Sequence, residues 1–312
     1  MVSLFRRKST TKLRAGIAVD DETAVLALVE RDGAVSRLHN FAVSTGSGRS
    51  WSALTDEVVD KVELRRVPVT AVVNESVYQL VLVECPQVPK DEIAAAVRWR
   101  IKDLVGFSAD DAVIDTIEIP ALANQSGGPM LYAVAAEPGS VKKLVDAISD
   151  QGLRLDSIDI PELCLRNIAT CLPQEPRGVG LLHLEEEHGT LIISRAGTLY
   201  LIRRIDVGLR AVRSLCAGEL TTGDTASEIA LEVQRSLDYF ESHYDQRPIT
   251  DIVLGPGTPP AFAGLLHAQL GVPVEALDLN DVVDLATPIP LEQQAAVVVA
   301  LGAALRTEEA AA

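Results

Sequence analysis

The sequence predicts a two-lobed α/β protein in which each lobe opens with the same order of strands. One stretch begins at Gly16 and the other at Gly180, and each has the pattern of a strand, a tight turn, a second strand, a glycine turn and a third strand. The 312 residues are enough for two hydrophobic cores. An apolar fraction of 47% with 4% aromatic residues is typical of α/β layers built from Leu, Val, Ile and Ala.

The pattern of elements divides the chain into an N-terminal arm and two lobes. We expect a basic arm at 1–14, a first lobe at 15–177 and a second lobe at 178–312. A strand, helix, strand, strand, helix pattern predicts a small α+β unit inserted in the first lobe at about 76–152. The C-terminal helix, predicted at 291–306, could pack back on the first lobe.

The charge of the chain limits the classes of partner that it can bind. A net charge of −16 and a pI near 4.7 would repel a phosphate backbone, which argues against nucleic-acid binding and against a nuclease. The N-terminal arm is a basic exception, with Arg6, Arg7 and Lys8 beside Leu4 and Phe5. Two interpretations stay open for it: an arm resting on an anionic membrane surface, or a solvated tail.

No apolar run in the sequence has the length of a membrane span or of a secretory signal. The longest run near the C-terminus, 295–305, is shorter than the roughly 18 residues that a span needs. The four cysteines form no CxxC pair and lie in apolar segments, which is typical of reduced core cysteines in the cytosol. We therefore expect a cytoplasmic protein that does not cross the membrane.

Carboxylates crowd the tight turn of each duplicated stretch. The first turn contains Asp20, Asp21 and Glu22, and the second, at 185–187, consists of three glutamates. A strand would place His183, Glu185 and Glu187 on one side near His188, which could suggest a metal site, and the first turn could be half of a two-metal carboxylate site. Solvated acids at strand ends explain both turns as well, and we predict no metal.

Three segments carry a resemblance to a known family. They are AAAVRWRI at 94–101 with Gly106-Phe107 following, VQRSLDYF at 233–240, and IVLGPG at 252–257. Together with the order of elements, they resemble the PilM-type proteins of type IV pilus assembly, within the actin-like ATPase superfamily. The resemblance implies a two-lobed, actin-like ATPase (RNase H-like) α/β fold with an inserted α+β subdomain.

The resemblance also implies a nucleotide cleft, and this chain departs from it. The family's two hairpins carry D-x-G, whereas the matching triplets here are Ala18-Val19-Asp20 and His183-Leu184-Glu185. Each Asp position has lost its carboxylate and each Gly position has gained one, which repels phosphate. The degenerate cleft would comprise Asp20, Asp21, Glu22, Thr23, Glu185, Glu186, Gly189, Thr190, Gly255, Gly257 and Thr258. We expect no hydrolysis and no cofactor, although ATP and Mg²⁺ could bind weakly at the glycine turn.

One tryptophan lies apart from the apolar stripe of its predicted helix, 90–105. At 100° per residue, Trp99 is turned well away from the stripe of Ile93, Val97, Ile101 and Leu104. It therefore packs against the rest of the first lobe, which we favour, or it lines a partner groove.

The resemblance names the partner of such a groove. PilM-type proteins hold the cytoplasmic N-terminal peptide of a bitopic, PilN-like inner-membrane protein beside the insert. The candidate contact residues here are Arg98, Trp99, Arg100 and Phe107.

The resulting expectation is a non-hydrolytic scaffold, peripheral at the cytoplasmic face of the inner membrane and in contact with other pilus platform proteins. The degenerate hairpins favour a member resembling MshI, the PilM-like component of mannose-sensitive haemagglutinin (MSHA) pilus assembly. The alternative is an ATP-binding, PilM-like protein whose nucleotide state regulates assembly. A GspL-like secretion component is disfavoured, since no membrane helix follows.

Overall fold

The computed structural model describes residues 13–32, 35–62, 64, 66–121, 128–219, 224–244, 247–286 and 288–307. The predicted membrane-surface residues Leu4, Phe5, Arg6, Arg7 and Lys8 lie outside this part of the chain. Within it, no helix combines the length and the hydropathy of a membrane span.

Fourteen strands and eight helices are found in the described residues. The strands are β1 Leu13–Val19, β2 Thr23–Asp32, β3 Val35–Thr45, β4 Pro68–Val72, β5 Tyr78–Glu84, β6 Val113–Glu118, β7 Met130–Ala136, β8 Arg154–Asp159, β9 Val179–Leu184, β10 Gly189–Arg195, β11 Thr198–Ile205, β12 Ile252–Leu254, β13 Val274–Ala276 and β14 Asp284–Leu285. The helices are α1 Trp51–Val59, α2 Ile93–Ile101, α3 Pro138–Ser149, α4 Pro161–Ala169, α5 Leu209–Cys216, α6 Asp224–Tyr244, α7 Pro260–Leu270 and α8 Leu291–Ala304.

The two large sheets repeat one topology, which confirms the predicted two-lobed fold. The first has the order β14-β3-β2-β1-β4-β8 and the second the order β11-β10-β9-β12-β13. In each, an antiparallel three-stranded meander is followed by strands that pair in parallel: β1 with β4 in one lobe, and β9 with β12 in the other. The hairpin turns after β1 and β9 therefore occupy equivalent places in the two lobes.

The inserted subdomain is a three-stranded antiparallel sheet, β5-β7-β6, with α2 on one face. Its helix is shorter than predicted, because a 3-10 turn at Lys90–Glu92 precedes it and α2 ends at Ile101. Leu104 lies beyond that end and is 58% exposed, so its predicted place in the apolar stripe is wrong. The stripe that packs on the sheet is Ile93, Val97 and Ile101.

Helix α8 joins the two lobes through close packing at two glycines. A Cβ on Gly302 would lie 2.2 Å from the carbonyl oxygen of Cys164 in α4, and a Cβ on Gly16 would lie 2.0 Å from that of Ala300. Helix α8 thus lies against β1 on one side and α4 on the other. Helix α4 in turn contacts β9 and β10 of the second lobe.

One hydrophobic core consequently spans both lobes beneath the hairpin turns. It contains Val25 and Ala27 from β2, Leu181 and Ile192 from the second sheet, and Leu301 from α8, all buried. Cys164, at the α4–α8 contact, is fully buried, and burial raises the pKa of its thiol well above the ordinary value. The core fixes the two hairpins relative to each other.

The first prediction concerns the α4–α8 contact. Gly302→Ala should lower the free energy of unfolding by about 1–3 kcal/mol, because the new methyl group would overlap the Cys164 carbonyl group. Gly264→Ala in α7 is the matched control: its Cβ meets open space, so it should be neutral or stabilise by about 0.5–1 kcal/mol. Urea denaturation of both variants measures the difference. Equal stability of Gly302→Ala and the wild type would contradict this packing.

Candidate functional site

The first hairpin turn is closed by its own carboxylate. One oxygen of Asp20, Oδ1, accepts from the backbone N–H groups of Glu22 at 2.8 Å and of Thr23 at 2.7 Å. The other, Oδ2, accepts from the Thr23 hydroxyl group at 2.9 Å. Backbone N–H groups of such a turn are the donors that would hold a phosphate oxygen. Here a side-chain anion occupies them.

The other carboxylates of this turn point elsewhere. Asp21 Oδ1 accepts from the indole N–H of Trp51 at 2.8 Å and from Lys143 Nζ at 3.2 Å, towards α1 and α3. These two contacts, Trp51 first, lower the pKa of Asp21. Glu22 is exposed, and its carbonyl group accepts from the Gly46 N–H at 2.8 Å.

The second hairpin turn is bound to the start of α5. The N–H groups of Leu209 and Arg210 donate to the carbonyl oxygens of Glu185 at 2.6 Å and Glu186 at 3.1 Å. A Cβ on Gly208 would lie 2.5 Å from the backbone of this turn, so only glycine permits the approach. The donors at the start of α5 are therefore satisfied within the protein.

The exposed acids of this turn pair with α5. Glu186 accepts from Arg213 at 2.5 Å, and Glu187 forms an ion pair with Arg210. Gly189 and Thr190 open β10, where Thr190 lies opposite Arg204 of β11. A Cβ on Gly189 would lie 2.5 Å from a methyl group of Leu184, so this glycine serves packing within the hairpin.

The glycine turn after β12 is also in close contact with other groups of the protein. The Thr258 hydroxyl group donates to the Gly255 carbonyl group at 2.9 Å, and a Cβ on Gly257 would lie 2.9 Å from that of Ala295 in α8. The imidazole of His183 fills the space beside Gly255, where a Cβ would lie 2.5 Å from Nδ1. The protein's own groups thus take the N–H groups of the first hairpin turn and the space beside Gly255.

His183 is a core residue. It is 5% exposed and its Nδ1 has no hydrogen-bond partner among the described residues. Burial, and then the nearby His188, lowers the pKa of His183 to about 4. The expectation that His183, Glu185 and Glu187 share one side of a strand is wrong, because β9 ends at Leu184 and the three side chains diverge.

A cluster of titratable side chains bridges the lobes beside the second hairpin. Glu75, in the 3-10 turn at Glu75–Val77, reaches across from the first lobe to His188 Nε2. His188 Nε2 lies 3.7 Å from Glu185 Oε2, and Arg204 Nη1 lies 3.6 Å from Glu75 Oε2. Burial, followed by repulsion from Glu75, raises the pKa of Glu185 to about 7. We call Glu75, Glu185 and His188 the inter-lobe triad.

The sequence pointed to Glu185 and His188 but not to Glu75. One signal was available, because Glu75 follows β4, which pairs in parallel with β1, and ends of neighbouring strands meet at one edge of a sheet.

Another buried carboxyl group lies close to the triad. Burial raises the pKa of Glu162, which accepts from the Tyr78 hydroxyl group at 2.6 Å.

A groove with a volume of about 840 Å³ lies on the other face of the insert, between the insert and the two lobes. Val113, Asp115 and Ile117 line it from β6, the edge strand of the three-stranded sheet. Residues 197–199, in the turn from β10 into β11, form a second wall, and Arg306 lies at the end of α8. Asp159 holds Arg306 Nη1 at 2.9 Å within the groove.

The predicted partner-binding residues lie on the opposite side of the insert sheet from this groove. Leu131, Ala133 and Ala135 of β7 pack in the core that contains α2, whereas Val134 and Ala136 line the groove. Side chains that alternate along a strand face opposite sides of the sheet. Helix α2 and the groove are therefore separated by the sheet.

The four candidate residues on and after α2 differ in how free their side chains are to contact a partner. Trp99 is 74% exposed, so the favoured expectation that it packs against the first lobe is wrong; the helix leaves this side to solvent. The side chain of Arg98 is held by hydrogen bonds that it donates to the carbonyl groups of Ala109, of Asp110 at 3.1 Å and of Ala112 at 3.0 Å. Arg100 lies 3.7 Å from Glu84, and Phe107 packs on the core of the insert.

Solved structures share this architecture, which is that of the actin-like ATPases. The structure matches the PilM–PilN type IV pilus biogenesis complex with a TM-score of 0.69 and 19% identity, over 94% of this chain and 97% of that chain. It also matches a Bacteroides thetaiotaomicron protein with an actin-like ATPase fold and unknown function. That match has a TM-score of 0.51 and 9% identity, and it covers 94% of this chain and 98% of that chain. No protein-family model and no curated protein sequence matches the chain. The predicted fold class is confirmed.

The second prediction concerns the pH dependence of stability. The unfolded chain protonates His183 near its ordinary pKa of 6.5, whereas the folded protein does so only near 4, so the unfolded state binds the extra proton between these values. Stability should therefore fall as the pH drops from about 6.5 to 4, by up to about 3 kcal/mol from this residue.

His183→Gln should remove that part of the slope, as measured by urea denaturation at a series of pH values in buffers with EDTA. Glu185 has a raised pKa and contributes the opposite slope, but it does so in both proteins, so their difference isolates His183. Parallel stability curves for the variant and the wild type would show that His183 titrates normally in the folded state.

Proposed function

We propose that this protein is a cytoplasmic, non-hydrolytic scaffold of a type IV pilus assembly platform, because its own Asp20 carboxylate takes the N–H groups of the first hairpin turn. In this proposal it holds the N-terminal cytoplasmic peptide of a PilN-like inner-membrane protein and so lies at the inner membrane without crossing it. The PilM–PilN complex, to which the structure is similar over 94% of the chain, supports the choice of partner.

The observation that carries the proposal is the groove along β6. An edge strand presents unpaired backbone N–H and C=O groups, so an extended peptide can add to it as a further strand. Side chains of that peptide would alternate between the groove and solvent. The apolar side chains of Val113, Ile117 and Leu199 would contact the inward set.

The walls of the groove come from separate parts of the fold, so a bound peptide would connect those parts. Strand β6 belongs to the insert, Leu199 to the second lobe, and Arg306 follows the helix that joins the lobes. Tyr132 of the insert already contacts the second lobe, since its hydroxyl oxygen accepts from the Ile202 N–H at 2.9 Å. A peptide in the groove would add contacts across the same junction.

The absence of hydrolysis in the proposal rests on the first hairpin turn and on the glycine turn after β12. The Asp20 carboxylate takes the N–H groups of its own turn, and His183 occupies the space beside Gly255. The same degeneracy leads us to propose an MSHA-type pilus, with an MshI-like role. Contacts with other platform proteins belong to this proposal.

The alternative function is an ATP-binding, PilM-like protein whose nucleotide state regulates assembly. One observation favours it: Gly257 keeps the left-handed backbone of a glycine turn, at φ 89°, and is exposed. Binding there would require the Asp20 carboxylate to release its two N–H groups.

The third prediction tests the groove with labelled peptides copied from the N-terminal cytoplasmic tails of PilN-like proteins of the same organism. Val113→Arg should weaken binding at least about tenfold, because the long side chain would fill the groove beside β6. Val113 is 47% exposed, so the fold should tolerate the change. Fluorescence anisotropy measures the affinity, and circular dichroism checks folding.

Trp99→Ala is the matched control, an exposed apolar residue on the other side of the same insert. It should bind the peptide as the wild type does. If instead Trp99→Ala loses binding while Val113→Arg keeps it, the peptide site lies on the outer face of α2 and the groove is not the site.

A further inference from the structure

The inter-lobe triad brings three potential metal ligands together from two lobes. Oxygen atoms of Glu75 and Glu185 and a ring nitrogen of His188 lie within 4.8 Å of one another. Glu75 comes from the turn after β4, and the other two from the turn between β9 and β10. An ion held by all three would connect the lobes directly.

The triad differs from a solvated acidic patch because an imidazole is its most buried member. The side chain of His188 is 10% exposed, and its Nε2 is directed at both carboxylates. The side chains of Glu75 and Glu185 are 29% and 37% exposed, so one side of the cluster is open to solvent. A buried nitrogen ligand with an open side would leave room for a water molecule as a fourth ligand.

The spacing of the ligand atoms is close to what a small ion needs. A tetrahedral Zn²⁺ ion about 2.0–2.2 Å from each ligand would hold the ligand atoms roughly 3.4 Å apart. His188 Nε2 and Glu185 Oε2 are now 3.7 Å apart, whereas Glu75 and His188 are in hydrogen-bond contact. All three ligand atoms lie within 4.8 Å of one another, and the Glu75 carboxylate would have to move back from the His188 ring to admit the ion.

Arg204 is the neighbouring cation that such an ion would replace. Its Nη1 lies 3.6 Å from Glu75 Oε2, and its Nε lies 3.4 Å from Asp206. The side chain is 59% exposed, so the guanidinium group can turn towards Asp206 and solvent without losing both contacts. Two carboxylates beside one imidazole would then be balanced by the divalent charge.

We propose that the inter-lobe triad is a divalent transition-metal site, with Zn²⁺ as the fitting ion, that joins the lobes independently of nucleotide. A mixed set of one imidazole and two carboxylates favours Zn²⁺ over Mg²⁺ and Ca²⁺, which prefer oxygen ligands alone. The ion fixes the start of the insert, because β5 follows Glu75 within a few residues. It thereby sets the position of the insert relative to the second lobe.

The fourth prediction is that the purified full chain, with any affinity tag removed and after EDTA treatment and dialysis, binds one Co²⁺ ion. Cobalt is the probe because its visible absorption reports a bound site, and Zn²⁺ should displace it whereas Mg²⁺ should not. Glu75→Gln, Glu185→Gln and His188→Ala should each weaken Co²⁺ binding about 100-fold or more, since even indirect partners of a ligand contribute 10- to 100-fold.

Glu187→Gln is the matched control, because Glu187 lies in the same turn but is exposed and paired with Arg210. Its Co²⁺ affinity should equal that of the wild type. If His188→Ala does not fold, Glu75→Gln, changed in the other lobe, carries the test alone. No absorption change with the wild type, or equal affinity in the triad variants and the wild type, would overturn the site and leave the cluster an inter-lobe hydrogen bond.

Discussion

The close packing of α8 at Gly16 and Gly302 is the constraint on which the rest of the structure depends. At both glycines a side-chain carbon would overlap a carbonyl oxygen, so the helix lies in direct contact with β1 and α4. This contact gives the two lobes one hydrophobic core. Because the core fixes the bases of both lobes, the two hairpin turns are held at defined positions above it, and Glu75 can reach His188 across the junction.

Above that core, the protein's own groups form hydrogen bonds with both hairpin turns. In the first hairpin, Asp20 supplies the negative charge that the turn's N–H groups would otherwise offer to phosphate. In the second, the turn's carbonyl groups accept from the start of α5. In the proposed scaffold, the actin-like fold is kept while the N–H groups of the first hairpin turn bind the protein's own carboxylate.

Sequence reasoning reached the features that depend on local pattern. The duplicated hairpins, the insert and the glycine turn follow from strand periodicity and from glycine and proline positions. Periodicity also showed that Trp99 is turned away from its own core, but it could not show that the described part of the chain leaves this side chain 74% exposed. The end of α2 at Ile101 and the carbonyl contacts of Arg98 depend on the following loop.

Glu75 was missed because its partners are more than a hundred residues away in the chain and meet it only through the packing of the lobes.

The central claim is that the backbone N–H donors of the first hairpin turn are occupied by the protein's own Asp20 carboxylate. Following the backbone amide resonances of Glu22 and Thr23 by NMR during a titration with Mg²⁺-ATP tests it most directly. The account predicts that neither resonance moves at millimolar nucleotide, because both N–H groups stay bonded to Asp20. Saturable shifts of both resonances would mean that phosphate displaces the carboxylate, and would contradict it.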